Sequence, residues 1–521
     1  MKKNHFTLMA VFGIFLCLNA NIFAEDYYVL YKNNTVTKLF AGSAIDSVRP
    51  DNKTAAENLL FYTGAVPETV VLPDSVVFKN ITDLSKSEKA NCYIIPSSGT
   101  YMFDTELRDG TLKSGDAADY VWTDVKYQGI NINNNVVAID SLFTVGTVKE
   151  VSVDGVADAN WVIKDIQYIP ALNKIMFTAT GNIGNSLIAL YTEGEGGARS
   201  VVWSWHVWST GVSAENMEIE WKSKNSVTYN QYPVVILDRN IGALTAVNVD
   251  NLLINGLHYE WGRKDPFPTA RKIGQKSSAL TEATPFADAM PVKFNTAFGS
   301  GFSYYGVTTN AVTMESSTAY PTTFYRGATA DANTWATDMS GIEGKKAWGD
   351  IIAPFGTDYI GWEAYSNVTP NATETYVNGA RPARYAKTKY DPCPAGYRVP
   401  TAEQMWLTFS VNKVTSNHTA VEGDPFWQNT LTARSNITFG TKYNCPSPNT
   451  DVSTRMPASG ERTAGGKLTN YGNTTYYWTA TTSGVANGAY NYALGNDPRT
   501  TGVNTYGAGR PVRCVKEVVA E

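Results

Sequence analysis

Short apolar or alternating segments, separated by Gly, Asn and Asp, run through the first half of the chain. Residues 27–31 and 35–40 flank an Asn-Asn turn, which is typical of a β-hairpin. A similar pair follows at 59–62 and 69–72, and each pair ends in Asp-Ser-Val. The pattern predicts a small β-hairpin repeat module over residues 25–85.

Residues 86–226 show the same short apolar runs and predict a β-sandwich domain. The run 201–208 has aromatic side chains on both faces, because successive strand residues point to opposite sides. One face carries Trp203, Trp205 and Val207, and the other carries Ser204, His206 and Trp208. We therefore expect a central strand, with Trp203 and Trp205 in the core rather than on a ligand platform.

The third region, residues 232–517, contains little helical pattern. The best helix candidate is 401–411, because Thr401 can cap its first turn. Residues 268–385 are rich in Gly, Ser, Thr and Asn and predict a long insertion. The polar stretch 213–231 indicates a linker or an edge. The fold class predicted is mainly β, with a C-terminal α+β domain.

The first 24 residues have the pattern of a signal peptide. Two lysines precede an apolar run over 6–18, and Ala24 supplies a small residue for cleavage. A lipoprotein signal at Cys17 is the alternative, but Leu16 is large for the position before such a cysteine. The pattern predicts an exported protein, extracellular or associated with the cell surface and outer membrane, with no transmembrane segment after cleavage.

Composition narrows the class of partner. Charged residues make up 17% of the chain and the net charge is -5, with no basic stripe, so a nucleic-acid partner is not expected. The chain holds 30 Tyr and 13 Trp, which suits twisted sheets. Cleavage of the signal leaves four cysteines, which allow three pairings in an oxidising compartment. They are Cys92, Cys393, Cys445 and Cys514.

Catalytic motifs are missing from the sequence. It has no His-Glu-x-x-His, no Cys-x-x-Cys and no Gly-x-Ser-x-Gly. The acidic candidates show no spacing that selects a pair for glycoside hydrolysis. They are Glu260, Asp265, Glu363, Asp424 and Asp497. The Trp-Asn-Asp and Glu-Pro-Asn elements of calcium-dependent sugar binding are also absent. We expect no enzyme activity, no cofactor and no metal.

Four elements of the third region carry a family resemblance. They are the strand and turn at 235–243, the Tyr-x-Trp segment at 256–263, the segment Asp-Pro-Cys-Pro-Ala-Gly-Tyr-Arg-Val-Pro at 391–400, and the closing strands at 477–481 and 510–516. In this order they resemble the domain family named for the major paralogous proteins of Fibrobacter succinogenes, which is widespread in Bacteroidetes.

The resemblance implies a C-type-lectin-like fold of the branch that includes formylglycine-generating enzyme. It also implies a disulfide between Cys393 and Cys514. Cys92 is then expected to be a buried free thiol, and Cys445 stays unassigned. The enzymes of that branch need a cysteine pair at the active site, and with Cys393 and Cys514 joined this chain offers none.

Two further segments resemble modules of secreted Bacteroidetes proteins, some of which are thought to be fimbrial tip or surface adhesins. They are 90–95 with 99–101, and 202–208. The ending Arg510-Pro511-Val512-Arg513 resembles that of variable lectin-like proteins diversified by retroelements.

The C-terminal segment offers a candidate ligand surface rich in Tyr and Asn, residue types that combine rigid contact area with adaptable hydrogen bonding. The candidate ligand-binding residues are Tyr490, Asn491, Tyr492, Asn496, Asp497, Arg499, Asn504 and Tyr506. The function predicted is a non-enzymatic, adhesin-like binding protein for a glycan or protein. The alternatives are a structural fimbrial or surface-layer component and a polysaccharide-acting enzyme.

Overall fold

The computed structural model describes residues 24–32, 35–50, 59–62, 67–70, 75–107, 125–133, 162–169, 172–193, 199–221, 234–246, 254–267, 269, 306–308, 312–325, 334–337, 387–401, 404–405, 441–444, 453–469, 475–482, 488–494 and 499–517. Within these residues the protein is mainly β and contains several sheets.

The strands of the N-terminal part are short and mostly antiparallel. They are β1 Ala24–Lys32, β2 Thr35–Ala41, β3 Ser47–Pro50, β4 Leu59–Tyr62, β5 Pro67–Val70, β6 Ser75–Asp83, β7 Cys92–Ile95, β8 Gly99–Asp104, β9 Val125–Asn133, β10 Ile163–Ile169, β11 Lys174–Ala179, β12 Gly184–Glu193, β13 Arg199–Ser209 and β14 Glu218–Trp221. Single 3-10 turns lie at Gly42–Ala44 and Glu215–Met217.

The C-terminal part consists of shorter strands. They are β15 Val234–Leu237, β16 His258–Glu260, β17 Gly306–Thr308, β18 Thr323–Tyr325, β19 Tyr397–Arg398, β20 Thr441–Asn444, β21 Ser453–Met456, β22 Glu461–Arg462, β23 Leu468–Thr469, β24 Thr475–Thr482, β25 Gly488–Leu494, β26 Arg499–Thr505, β27 Gly509–Pro511 and β28 Val515–Lys516. A one-turn helix, α1, spans Met314–Ser317.

Two sheets dominate the N-terminal part. The outer sheet has the order β10-β11-β8-β6-β1-β2, and the middle sheet has the order β7-β13-β12-β9. Smaller sheets follow, in the orders β14-β15-β28-β19, β16-β27-β22-β23 and β24-β25-β26. Because β14 pairs with β15 at the edge of its sheet, the stretch predicted as a linker or an edge contains an edge strand.

The middle sheet has two different faces, as the alternation along β13 predicts. Trp203, Trp205 and Val207 join a hydrophobic cluster with Phe103 and Phe177 of the outer sheet. On the opposite side, buried residues join a cluster with the C-terminal part, including Cys92, Leu187, Trp208, Leu237 and Tyr259. The prediction of a central strand is confirmed, since β13 lies between β7 and β12.

The predicted first hairpin is present, because β1 and β2 pair antiparallel. The two predicted repeat units do not occupy equivalent positions, however. β1 and β2 belong to the outer sheet, whereas β4 and β5 pair with β3 in a separate three-stranded sheet. Strand β6 pairs with both β1 and β8, so the outer sheet takes strands from both sides of residue 85.

The predicted helix at 401–411 begins where the sequence indicates. The Thr401 hydroxyl accepts the Gln404 amide at 3.1 Å, and the Gln404 side chain accepts the Thr401 amide at 3.0 Å. These reciprocal bonds form a capping box, which satisfies two amides that a helix start leaves without partners. Residues 406–411 lie outside the described residues.

Candidate binding surface

The three-stranded sheet β24-β25-β26 places most of the candidate ligand residues on neighbouring strands. Asn491 pairs with Trp478 and Tyr492 with Tyr477 across β24 and β25. Tyr490 pairs with Val503 of β26, where Arg499 and Asn504 also lie. Asn496 and Asp497 lie outside the described residues. We call β25 and β26 the C-terminal hairpin, and they bring five candidate residues together along the backbone.

Tyr506 is the exception among the candidates. It follows β26 and is fully buried, and its ring stacks on Trp261 with a centroid distance of 4.5 Å. A side chain with no exposed area has no surface to offer a ligand. The interpretation of Tyr506 as a ligand contact is therefore replaced: its aromatic ring packs in the core beneath the hairpin.

Indole groups fix this core to the backbone. Trp478 donates its Nε1 hydrogen to the Tyr259 carbonyl at 2.9 Å, and Trp261 donates to the Thr479 carbonyl at 2.9 Å. Trp335 in turn donates to the Trp261 carbonyl at 2.8 Å. Each bond ties a large buried ring to a segment distant in sequence, so β24 rests on a base with a defined orientation.

A buried arginine lies next to β24. Arg510 donates its Nε and Nη2 hydrogens to the Glu461 carboxylate at 2.9 and 2.6 Å. Its guanidinium lies over the rings of Tyr476 and Trp478, 4.7 and 4.4 Å from their centroids. Burial lowers the pKa of Arg510, and the Glu461 charge opposes this shift. The pair and the two rings fix the strand that enters the candidate surface.

A second buried arginine joins the elements that carry the family resemblance. Arg513 donates to the Asn240 side chain at 2.9 Å, and Asn240 donates to the Tyr477 hydroxyl at 3.2 Å. Gly242 has a φ of 83°, and a Cβ there would lie 2.5 Å from Leu257 Cγ. These residues contact one another in the interior of the C-terminal part. We therefore interpret these motif residues as structural rather than as ligand contacts.

The segment 391–400 is tied to the last strands by the predicted disulfide. Cys393 and Cys514 are bonded, with their Cα atoms 5.9 Å apart. The Asp391 carboxylate accepts the amides of Cys393 and Val399 at 2.8 and 3.0 Å. Burial raises the pKa of Asp391 to about 6, against the opposing charge of Lys387.

Lys387 organises the same segment from the other side. Its ammonium donates to the carbonyls of Cys393, Pro394 and Tyr397 at 3.1, 2.8 and 2.6 Å. It also pairs with Glu88 at 3.3 Å. The Pro394 carbonyl also accepts the Tyr397 amide at 3.0 Å, so the ammonium reinforces a backbone turn. The disulfide therefore belongs to a preorganised turn.

Cys92, His206 and Asn185 form a chain of contacts that resembles a cysteine-hydrolase triad. Cys92 Sγ lies 3.4 Å from His206 Nδ1, and His206 Nε2 lies 2.8 Å from the Asn185 side-chain oxygen. All three residues are buried. Burial raises the pKa of the Cys92 thiol and lowers that of His206 to about 3.

Those shifts argue against catalysis by this chain of contacts. A cysteine nucleophile requires a thiolate and access to substrate, and here burial favours the neutral thiol and the neutral imidazole. Asn185 completes the arrangement by donating to the Gly242 carbonyl at 2.9 Å. The three side chains instead join the middle sheet to the C-terminal part. The expectation that Cys92 is a buried free thiol is confirmed.

Two of the acidic residues considered for catalysis lie in a buried ion cluster. Arg263 pairs with Glu260 at 2.6 Å and with Asp265 at 3.2 Å, and Lys264 pairs with Asp265. Ser204 of β13 donates to Asp265 at 2.8 Å. Burial raises the pKa of Glu260 to about 8, and Arg263 opposes the shift.

This ion cluster sets two basic side chains against two acidic ones and links β13 to the C-terminal part. Such balance is characteristic of a structural pair network. The other acidic candidates, Glu363, Asp424 and Asp497, lie outside the described residues.

Sequence reasoning missed the residues that position this surface. Asp391, Lys387 and Arg510 carried no signal of their role, because each acts on partners that are distant in sequence or on backbone carbonyls. The only available sequence signal was a charged residue within an apolar segment. Arg510 and Arg513, which flank Pro511-Val512, are the example.

Within the part of the chain that the structure describes, no helix combines the length and the apolar character needed to cross a membrane. Across those same ranges, no group of three or more His, Cys, Asp or Glu side chains is placed to hold a metal ion.

Comparison with known proteins adds no relative. No family model, no curated protein and no solved structure matches the chain.

Proposed function

We propose that this protein is a non-enzymatic, adhesin-like binding protein, exported after removal of residues 1–24, with a glycan or protein ligand at the cell surface. In this proposal the outer and middle sheets form a β-sandwich. Residues 232–517 adopt the C-type-lectin-like fold implied by the Fibrobacter family resemblance. The ligand contacts the C-terminal hairpin.

The observation that carries the proposal is the rigid base beneath the hairpin. Trp478, Trp261 and Tyr506 are buried and bonded or stacked, and Arg510 covers the ring of Trp478. A rigid base lowers the entropy lost on binding, which favours recognition by the residues that it supports. Tyr490, Asn491 and Tyr492 lie on the strand that pairs directly with this base.

The experiment is a binding screen with matched variants. Wild-type protein is tested on a glycan array and on host or bacterial cells, beside the double variant Tyr490→Ala/Tyr492→Ala. The control is Tyr320→Ala, because Tyr320 is 52% exposed and lies in a different part of the C-terminal region.

We expect the double variant to lose at least about tenfold in affinity, since aromatic contacts dominate such surfaces, and the control to bind like wild type. Equal binding by wild type, double variant and control would show that the ligand does not contact Tyr490 or Tyr492. Absence of any binding by wild type would contradict the proposal. Thermal unfolding of each variant checks that it is folded.

The enzyme alternative has less support than binding. Two nucleophile–base contacts lie in the described residues, Cys92 with His206 and Ser459 with His258. All four side chains are buried, and burial lowers the pKa of both imidazoles. Release of reducing sugar from envelope or dietary polysaccharides, abolished by a single Asp or Glu substitution, would overturn this assignment.

A further inference from the structure

Strand β6 has a backbone edge that the described part of the protein leaves open. On one side it pairs with β1 along residues 75–82. On the other side it pairs with β8 only from Ile81 to Asp83. Residues 75–80 therefore extend past the start of β8, and no described strand pairs with them there. Their outward amides and carbonyls match another extended strand.

The same stretch exposes apolar side chains. Val76, Val77 and Phe78 are 36%, 38% and 56% exposed. Among the described residues, five large hydrophobic side chains are exposed, and these three are consecutive in one strand. Val76 and Phe78 share one face of the strand and Val77 lies on the other. An occupant must therefore be apolar on both faces.

Charge does not protect this edge. Lys79 donates to the Tyr31 hydroxyl at 2.8 Å and lies 5.4 Å from the centre of that ring. Asn80 donates to the Asp26 carboxylate at 3.0 Å. Both polar side chains turn toward β1 and away from the open edge. Charged side chains commonly protect edge strands from pairing, but the Lys79 ammonium lies against a ring of β1 rather than at the open edge.

We propose that this edge is a self-association surface, on which residues 75–79 of two copies pair antiparallel about a two-fold axis that passes between the two Val77 residues. A second copy supplies the required occupant, namely an extended strand with a free ladder edge and apolar side chains on both faces. Val76 of one copy then lies opposite Phe78 of the other, on one face of the sheet. Lys79 lies opposite Ser75, so the two lysines do not face each other. The paired stretch is about 17 Å long.

A two-fold pairing of this kind closes on itself and gives a dimer, not a filament. It uses a surface separate from the C-terminal hairpin. Failure of the ligand proposal would therefore leave this inference standing, and the reverse also holds.

The test is the oligomeric state of the purified protein. We expect sedimentation velocity over a roughly hundredfold concentration range to show a monomer–dimer equilibrium. The double variant Val76→Lys/Phe78→Lys should raise the dimer dissociation constant by more than about tenfold, because it replaces buried apolar contacts with like charges. Leu172→Lys, at a comparably exposed apolar residue, should leave the equilibrium unchanged.

A second measurement reports the geometry. Val77→Cys places two thiols opposite each other at the axis, so oxidised protein should form a disulfide-linked dimer that reduction reverses, whereas wild type under the same conditions should not. A wild type that remains monomeric at every concentration overturns the proposal and points to a strand of another protein as occupant. So does a dimer that survives Val76→Lys/Phe78→Lys in a folded variant.

Discussion

Both faces of the middle sheet pack apolar side chains, but the face toward the C-terminal part adds buried polar bonds to other elements. Toward the outer sheet, Trp205, Val207 and Ile188 meet aromatic and aliphatic side chains in an apolar cluster. Toward the C-terminal part, Ser204 and His206 of the same strand make side-chain contacts with Asp265 and with Cys92 and Asn185.

Apolar packing and buried hydrogen bonds constrain the packed elements differently. Apolar packing tolerates exchanges that keep volume, so it fixes proximity more than orientation. Buried hydrogen bonds are costly when unmade, so they select one orientation. The C-terminal part is thus oriented on the middle sheet by polar bonds such as Asn185 to Gly242 and Trp208 to Ala243. The candidate surface inherits that orientation.

The largest effect is expected from loss of the disulfide. Cys393→Ala/Cys514→Ala opens a loop with a sequence separation of 121 residues. Chain entropy predicts a loss of about 4 to 5 kcal/mol in the free energy of unfolding. Denaturant unfolding of wild type and variant measures it. The single variant Cys92→Ala should keep wild-type sensitivity to reductant. An equal unfolding midpoint for wild type with and without reductant would contradict the prediction.

The polar face should be sensitive to a single truncation. Asn185→Ala removes the partners of His206 and of the Gly242 carbonyl, which lie 2.8 and 2.9 Å away. We expect the free energy of unfolding to fall by about 3 kcal/mol, because two buried polar groups lose their bonds. Urea unfolding monitored by tryptophan fluorescence provides the measurement. A decrease of only about 1 kcal/mol in the free energy of unfolding, as expected for a conservative apolar exchange, would contradict the contrast between the two faces.

The same face should respond to acid. Because burial lowers the pKa of His206 to about 3, below the unfolded value near 6.5, the unfolded chain binds this proton first as the pH falls. Stability is therefore complete above pH 6.5 and declines toward pH 3, by up to about 1.4 kcal/mol per pH unit from this residue.

His206→Gln should flatten that slope by this amount while lowering stability at pH 7. The readout is the difference in urea midpoints between wild type and variant across the pH series, since carboxylates contribute equally to both. Parallel curves would show that His206 does not titrate on unfolding.

The apolar face should show the smallest effect. Ile188 lies on the same strand as Asn185 and is buried toward the outer sheet. Ile188→Val should cost about 1 kcal/mol, because it removes one methylene group and leaves a small cavity. The same urea assay measures it. If Ile188→Val and Asn185→Ala lowered the free energy of unfolding by the same amount, the contrast between the two faces would be contradicted.

Much of the N-terminal part could be predicted from alternation. The runs at 92–95, 174–178 and 201–208 are strands β7, β11 and β13, and the two faces of β13 are as expected. Alternation failed where strand pairing depended on distant partners. It did not indicate that β6 extends the outer sheet past β8, or that the two repeat units take different places.

The candidate surface was less predictable. Tyr506 looked equivalent to Tyr490 and Tyr492 in the sequence, yet the chain turns after β26 and stacks this ring on Trp261. The pairing of Cys393 with Cys514 followed from the family resemblance, since spacing left three choices. Asp391 and Lys387 bind backbone groups of a nonregular turn. Hydrophobic periodicity in the sequence cannot predict such hydrogen bonds.

The central claim is that ligand contacts the C-terminal hairpin on its rigid base. Hydrogen–deuterium exchange of the wild-type protein, with and without the strongest ligand from the binding screen, tests it most directly. The account predicts slower exchange on binding within residues 488–505, with no change in the outer sheet. Protection confined to other residues, with 488–505 unchanged, would contradict it.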